Sequence, residues 1–287
     1  MTEQREVALV TGCSSGIGEA AAWALAADGC KVFATARNPS DMERLRSRAI
    51  DAGFSLETLP LDVTKQEDIV GVISDIEKLH GRLDVLVNNA GYALWGAVEE
   101  VPLEDLRKQF ETNVFGLVAV YRAAIPLMRR TGGGTVVNIS SLAGRVAAPL
   151  MGAYCASKFA VEALSLAAAA EVRQFGIRVV SVEPGPVKTR FVEAARKASS
   201  HIIERQGSPY AKSYVELGDF YVEPYGVPPE VVAKVIMKVI RAKRPKTRYT
   251  VRARERLYAM AGSLIATRPG QHFVRGYFDL KPERVRR

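Results

Sequence analysis

Tyr154 and Lys158 stand four residues apart in the stretch Ala153-Tyr154-Cys155-Ala156-Ser157-Lys158-Phe159. That is about one helical turn, so in a helix the phenol and the ammonium leave the same face. A free tyrosine titrates near pH ~10, and a base useful at neutrality needs a shift of roughly three units, or about 4 kcal/mol. A unit positive charge about 4 Å away, at an effective dielectric near 20, supplies roughly that much. Lys158 is the obvious source, and the pair so arranged would move a proton to or from a substrate oxygen. Two half-exposed helix residues at this spacing are the plain alternative, so other residues must decide.

A second group lies near the N-terminus. Thr11-Gly12-Cys13-Ser14-Ser15-Gly16-Ile17-Gly18 follows an apolar run and opens an Ala-rich helical pattern. Glycines there permit a tight turn and close backbone approach, while the helix start offers free N–H groups to a pyrophosphate. The spacing Gly-x-x-x-Gly-x-Gly differs from the commoner dinucleotide fingerprint. The same residues match Gly-x-Ser-x-Gly, a hydrolase nucleophile elbow with Ser14 as nucleophile. No preceding strand exists there to supply an oxyanion loop, and His80, His201 and His272 have no motif context as a base, so the dinucleotide reading is preferred. An acid about 20 residues after the glycines would bind the NAD ribose. Ala36 stands there instead, followed by Arg37. A guanidinium suits a 2′-phosphate, which favours NADP(H) over NAD(H).

The elements that would position these groups follow from periodicity. "VALVTG", "KVFATA", "SLETLPLDV", "LDVLVNNAG", "GTVVNIS" and "IRVVSVEPG" read as buried strands. Between them lie helical patterns, including "SDMERLRSRAIDAG" with Ser40 as N-cap and long helices near 104–130 and 152–175. Strand–helix alternation of this kind predicts an α/β fold: a single-domain, doubly wound, Rossmann-like parallel sheet with helices on both faces. Residues 190–226 carry Phe191, Tyr210, Tyr214, Phe220, Tyr221 and Tyr225 with little regular period, and read as a substrate lid or binding loop. "PPEVVAKVIMKVIRAKR" resumes a helix and "TRYTV" reads as a last edge strand, before a basic extension over 252–287.

The totals bound the class. With 48% apolar and 25% charged residues, 287 residues make an ordinary globular chain, here expected as one domain over 1–287. Cys13, Cys30 and Cys155 show neither metal-ligand spacing nor an even disulfide set. With no signal-peptide layout and no apolar run of membrane length, a cytoplasmic protein without a metal is expected. Arg241 to Arg287 holds 14 Lys/Arg against 3 Asp/Glu. No nucleic-acid motif accompanies that charge, but with Leu257, Met260, Leu264 and Ile265 nearby it suits peripheral contact with an anionic membrane.

The ordered set "TGCSSGIG", "LDVT", "NNAG", "NVFG", "NISS", "YCASK" and "EPGPVKT" resembles the short-chain dehydrogenase/reductase family over roughly residues 5–250. It looks closest to the 17β-hydroxysteroid and retinol dehydrogenase types. The resemblance implies a catalytic tetrad: Tyr154 as general acid/base, Lys158 on the nicotinamide ribose, Ser141 on the substrate oxygen, and Asn113 binding a relay water. Spacing selects Ser141 over its neighbour Ser140, which stays open. By the same resemblance Gly12, Ser14, Ser15, Gly16, Ile17 and Gly18 hold the cofactor phosphates, Asp62 and Val63 meet the adenine, and Asn89, Ala90 and Gly91 line the cofactor. Pro184, Gly185, Val187 and Thr189 would reach the nicotinamide end. A homodimer or homotetramer built on the two long helices is implied as well.

Leu94, Trp95, Val146, Leu150 and Met151 flank the expected site, and an apolar pocket there fits a steroid-, retinoid- or lipid-like carbonyl. The expected activity is therefore hydride transfer between NADP(H) and such a carbonyl/alcohol pair. The rival reading is a dinucleotide-binding regulator that keeps the fold without turnover.

Overall fold

The computed structural model describes residues 5–54, 56–222, 226–261 and 267–277. Seven strands form one parallel sheet: β1 (Val7–Val10), β2 (Lys31–Ala36), β3 (Leu56–Pro60), β4 (Val85–Asn88), β5 (Gly134–Ile139), β6 (Ile177–Glu183) and β7 (Arg248–Thr250), in the order β3-β2-β1-β4-β5-β6-β7. Each of β1 and β4 is buried at every residue, which explains why they read as continuous apolar runs rather than alternating ones. The pleat divides them between two cores. Ala8 and Val10 face a core with α1 (Gly16–Ala27), α2 (Pro39–Asp51) and α9 (Pro229–Arg241), while Val7 and Leu9 face one with α3 (Gln66–His80) and α5 (Leu117–Arg130).

Chain order reverses about β1, which lies between β2 and β4. The crevice outside the carboxyl ends of β1 and β4 is where open α/β sheets bind ligands. The glycine loop after β1 and the segment after β4 both open into it.

The long helix expected near 104–130 is three pieces: α4 (Leu103–Phe110), a π-helical turn over Glu111–Gly116, and α5. The helix expected near 152–175 is α6 (Gly152–Glu171), followed by a 3₁₀ turn at Arg173–Phe175. Two expectations need correction. The charged helix α2 begins at Pro39 with Asn38 as N-cap, not Ser40, because proline's fixed φ and missing N–H suit the first helical position. Residues 190–226 are mostly helical: α7 (Phe191–Ile203) and α8 (Ala211–Val222) occupy most of them. Their helical period is carried by Ala195, Ser199 and Ile202, then Tyr214 and Leu217, which are buried. Attention to the aromatics alone hid it. Tyr225, Leu264 and Ile265 lie outside the described residues, as do the side chains of Phe220 and Tyr221. The basic extension contains α10 (Ala253–Ala261) and α11 (Arg268–Tyr277). No helix among the described residues is long and apolar enough to cross a membrane.

Candidate active site

The glycine loop is braced from beneath by the segment after β4. Thr11 Oγ1 accepts hydrogen bonds from the backbone N–H groups of Asn89 and Ala90, both at 3.0 Å. In return the Asn89 amide donates to the carbonyls of Thr11 (3.0 Å) and Gly12 (2.9 Å). Asn89 therefore holds the loop rather than merely lining it, and Thr11 is a partner the sequence reading did not single out. Gly12 has a φ of +72° and a side chain there would meet Ala90 Cα at 2.8 Å, so both conformation and space require glycine. At Gly16, a Cβ would come within 2.8 Å of Thr189 Cγ2, which brings the segment after β6 over the loop. Ser15 is the N-cap of α1, leaving its first N–H groups facing the crevice. Ser14 offers its carbonyl to two guanidiniums: Arg44 of α2, and Arg190, at 2.9 Å from the far side of the crevice. The three histidines sit elsewhere, His80 against Phe33, His201 paired with Asp105 and His272 on α11, so the elbow reading of Ser14 finds no base.

At the outer end of β2, Arg37 is exposed. Burial raises the affinity of the Asp62 carboxyl for its proton, but hydrogen bonds from Thr64 and the charges of Arg37 and Lys65 outweigh it and hold the group below its ordinary value. Arg37 is thus within electrostatic reach of the residue expected at the adenine, with no acid at Ala36 to oppose a phosphate. Val63 is buried against Gly116 of the π turn, a packing role. Ile17 and Val187 likewise pack on the core. Pro184 accepts a bond from Leu142 N–H at 3.0 Å, and a Cβ on Gly185 would meet Glu255 Oε1 at 2.5 Å.

The tetrad residues come from three elements and converge. Tyr154 and Lys158 share the buried face of α6. Lys158 Nζ donates to the Ile139 carbonyl at the end of β5, 2.9 Å away, and a Cβ on Gly91 would lie 3.9 Å from that Nζ. Ser141 caps the 3₁₀ turn Leu142–Gly144 by accepting from Ala143 N–H at 3.1 Å, and its hydroxyl interacts with the Tyr154 phenol. Ser140 points away, and its buried Oγ faces the space that a side chain on Gly144 would fill. Geometry thus agrees with spacing in favouring Ser141. Asn113 sits in the π turn, a feature often found at functional sites because the extra residue redirects side chains inward. Its amide donates to Tyr92 O (2.9 Å) and Ser157 Oγ (3.0 Å) and accepts from Tyr92 N–H (3.0 Å). That side chain ties α6 to the segment after β4, and its Oδ1 keeps a second lone pair.

In the cofactor-free protein burial pushes the Tyr154 phenol well above its ordinary value, and a hydrogen bond with the Ser141 hydroxyl pulls against it. Lys158 Nζ lies 5.9 Å from the centre of the tyrosine ring, and burial pushes the lysine itself down to about 8. Desolvation is the largest influence on both groups. In the protein alone the phenol is a proton donor.

An apolar wall adjoins Tyr154. Trp95, Leu150, Met151, Tyr214 and Leu217 form one buried cluster with it, and Phe191 lies 5.7 Å from its ring. Val146 is half-buried, while Leu94 packs with Ala153 and Ile202 in a separate cluster and leaves the wall. Leu150 takes a left-handed φ of +61°, a strained position for leucine, held by Gly96 N–H donating to its carbonyl at 2.7 Å.

The family model described as short chain dehydrogenase matches residues 6–200. The chain belongs to the short-chain dehydrogenase family. Among short-chain dehydrogenases and related oxidoreductases, it is 35% identical over 269 residues to an NADPH-dependent 3-dehydrocapnine reductase of Ornithobacterium rhinotracheale, covering 91% of this chain and 93% of that one. It is 36% identical over 255 residues to human 17-beta-hydroxysteroid dehydrogenase type 1, covering 85% and 77%. A crystallised short-chain dehydrogenase from Streptomyces avermitilis superposes with a TM-score of 0.79 at 34% identity, covering 98% of this chain and all 100% of the other. This short-chain dehydrogenase is accordingly an oxidoreductase of the carbonyl/alcohol class that binds a nicotinamide dinucleotide. Its braced glycine loop, open N-terminus of α1 and exposed Arg37 fit that cofactor.

Proposed function

We propose that the protein is an NADP(H)-dependent reductase of a bulky, hydrophobic carbonyl compound. The observation that carries this reading is the buried Tyr154 phenol, held protonated, backed by Ser141 and Lys158 and facing an apolar wall. When bound, the dinucleotide supplies the hydride. Tyr154 then gives its proton to the carbonyl oxygen, Ser141 holds that oxygen, and Lys158 orients the ribose and steadies the tyrosinate that forms. Asn113 keeps α6 in register through Ser157. Arg37, beside Asp62 with alanine before it, supports the 2′-phosphate, as does the NADPH named for one relative. The steroid named for another is consistent with the wall of Trp95, Leu150 and Met151. The α7–α8 excursion serves as the lid: Tyr214 OH donates to Glu100 at 2.6 Å and accepts from Ala97 N–H at 2.9 Å, latching it over the site.

Exposed Phe115, Phe159 and Leu166, at 56%, 44% and 48%, give the π turn and α6 an apolar outer face that suits a homo-oligomer in a cytoplasmic setting. Exposed Leu257 and Met260 on α10, among arginines, suit peripheral contact with an anionic membrane. The deciding experiment follows reduced-nicotinamide absorbance with NADPH and NADH against steroid, retinoid, aliphatic and aromatic carbonyls. NADPH-dependent turnover that falls by about 10²–10⁴-fold in Tyr154→Phe, with cofactor affinity retained, is expected. Cofactor binding with no turnover on any carbonyl would favour the regulator reading.

A further inference from the structure

Beneath the tetrad lies a buried charge network that the proposed reaction does not itself use. Glu162 follows Lys158 by one turn on the buried face of α6 and is 4% exposed. Its Oε2 accepts from Arg248 Nε of β7 at 2.8 Å, across 86 residues of sequence. Its Oε1 is buried without a hydrogen-bond partner. Arg248 also lies 3.7 Å from Glu183 Oε1 at the end of β6, which Arg145 contacts at 3.2 Å. Just after β5 the neutral Ser140 faces this space, while Asn138 of β5 reaches α6 at Ser165. Gly144 has no side chain for a reason that shows how closely the groups converge: a Cβ there would meet Lys158 O at 2.9 Å and both Glu162 Cγ and Ser140 Oγ at 3.0 Å.

We propose that Glu162 is a positioning residue that keeps Lys158 cationic inside the protein, with Arg248 on the last strand competing for the same carboxylate. An unaided ammonium so buried sheds its proton to escape the desolvation cost. Glu162 is the charge that opposes this at Lys158, where burial otherwise dominates. Glu183 and Arg145 offset one another on the far side of Arg248, and burial together with Glu162 raises Glu183. Arg252 and Glu255 pair at 2.9 Å beside Gly185. Beyond burial, Glu162 is the charge that acts on Lys158, and Arg248 shares that carboxylate. The proposal rests on the functional reading only in making the charge of Lys158 matter for turnover.

The test uses the full chain without cofactor. Lys158→Met is compared with Lys158 in thermal unfolding from pH 6 to 11, in wild-type, Glu162→Gln and Arg248→Gln backgrounds. The pH at which the Met variant begins to lose its advantage marks the titration of Lys158. Glu162→Gln is expected to move that pH down by about one unit or more, and Arg248→Gln to move it up, because removing a cation leaves Glu162 more fully to the lysine. Opposite shifts are a signature that a merely structural role does not produce. The alkaline limb of kcat is expected to move in the same two directions, with KM for NADPH little changed. Should Glu162→Gln fail to fold, Arg248→Gln carries the test alone, since Arg248 is one-third exposed (34%). No movement in any background that folds, or movement in the same direction in both variants, overturns the proposal. Absence of turnover in the wild type would count against the functional reading and leave the unfolding result standing.

Discussion

A buried lysine is a thermodynamic burden, and Lys158 shows its sign. Its proton affinity is lowered by folding, from an ordinary 10.5 to about 8, so the unfolded chain binds more protons between those values. Stability then rises with pH across that window, and below it the burial cost is paid in full. Lys158→Met, a residue of similar reach without the charge, is expected to stabilise the cofactor-free protein at pH 7 by on the order of 3 kcal/mol. That advantage is expected to vanish near pH 10.5, and denaturant melts at both pH values check it. A less stable lysine-bearing protein that turns over, beside a more stable methionine variant that does not, is the trade expected where activity needs a strained group. The Tyr154–Lys158 spacing made this pair legible from sequence. The direction of its electrostatics was not, because spacing reports proximity and desolvation depends on everything packed around it.

At the scale of elements, the glycine loop is only as rigid as its brace. Thr11→Val keeps shape but leaves the N–H groups of Asn89 and Ala90 without their acceptor. Unsatisfied buried donors cost about 1–3 kcal/mol each. A fall in stability of about 2 kcal/mol or more is expected from these two losses, together with weaker NADPH binding, whereas Thr11→Ser retains both. Calorimetry and fluorescence titration measure the two effects; an unaltered cofactor affinity in Thr11→Val would show that the brace does not act on the loop. β1 and β4 were legible as apolar runs because both are buried at every residue, Asn88 being the one polar side chain among them. The π turn was not, for nothing in Glu111–Gly116 marks one extra residue per turn; it is fixed by Asn113 reaching Tyr92 and Ser157. α7 was missed because its buried positions include Ala195 and Ser199, too small to announce a period.

Across the whole molecule the charge is uneven, and α10 carries Arg254 and Arg256 beside exposed Leu257 and Met260. Replacing Leu257 and Met260, 68% and 67% exposed, by glutamate is expected to reduce co-sedimentation with anionic vesicles severalfold, with NADPH affinity unaltered. Pelleting equal to wild type would remove the membrane from the account. Long-range pairs were the least legible feature of all. Arg248 and Glu162, or Arg190 and Ser14 at a separation of 176 residues, carry no local signature, since only the closed sheet brings them together. That closure has a further consequence during synthesis. β1 cannot acquire its second neighbour until β4 has been made, and β7, which brings Arg248 to Glu162, is the seventh and last strand. The chain emerges N-terminus first, so Tyr154 and Lys158 leave the ribosome roughly ninety residues before Arg248, the cation that pairs with Glu162. A nascent chain can therefore have α6 in hand while Glu162 still lacks its partner Arg248, and that pair forms only when the last strand has been made.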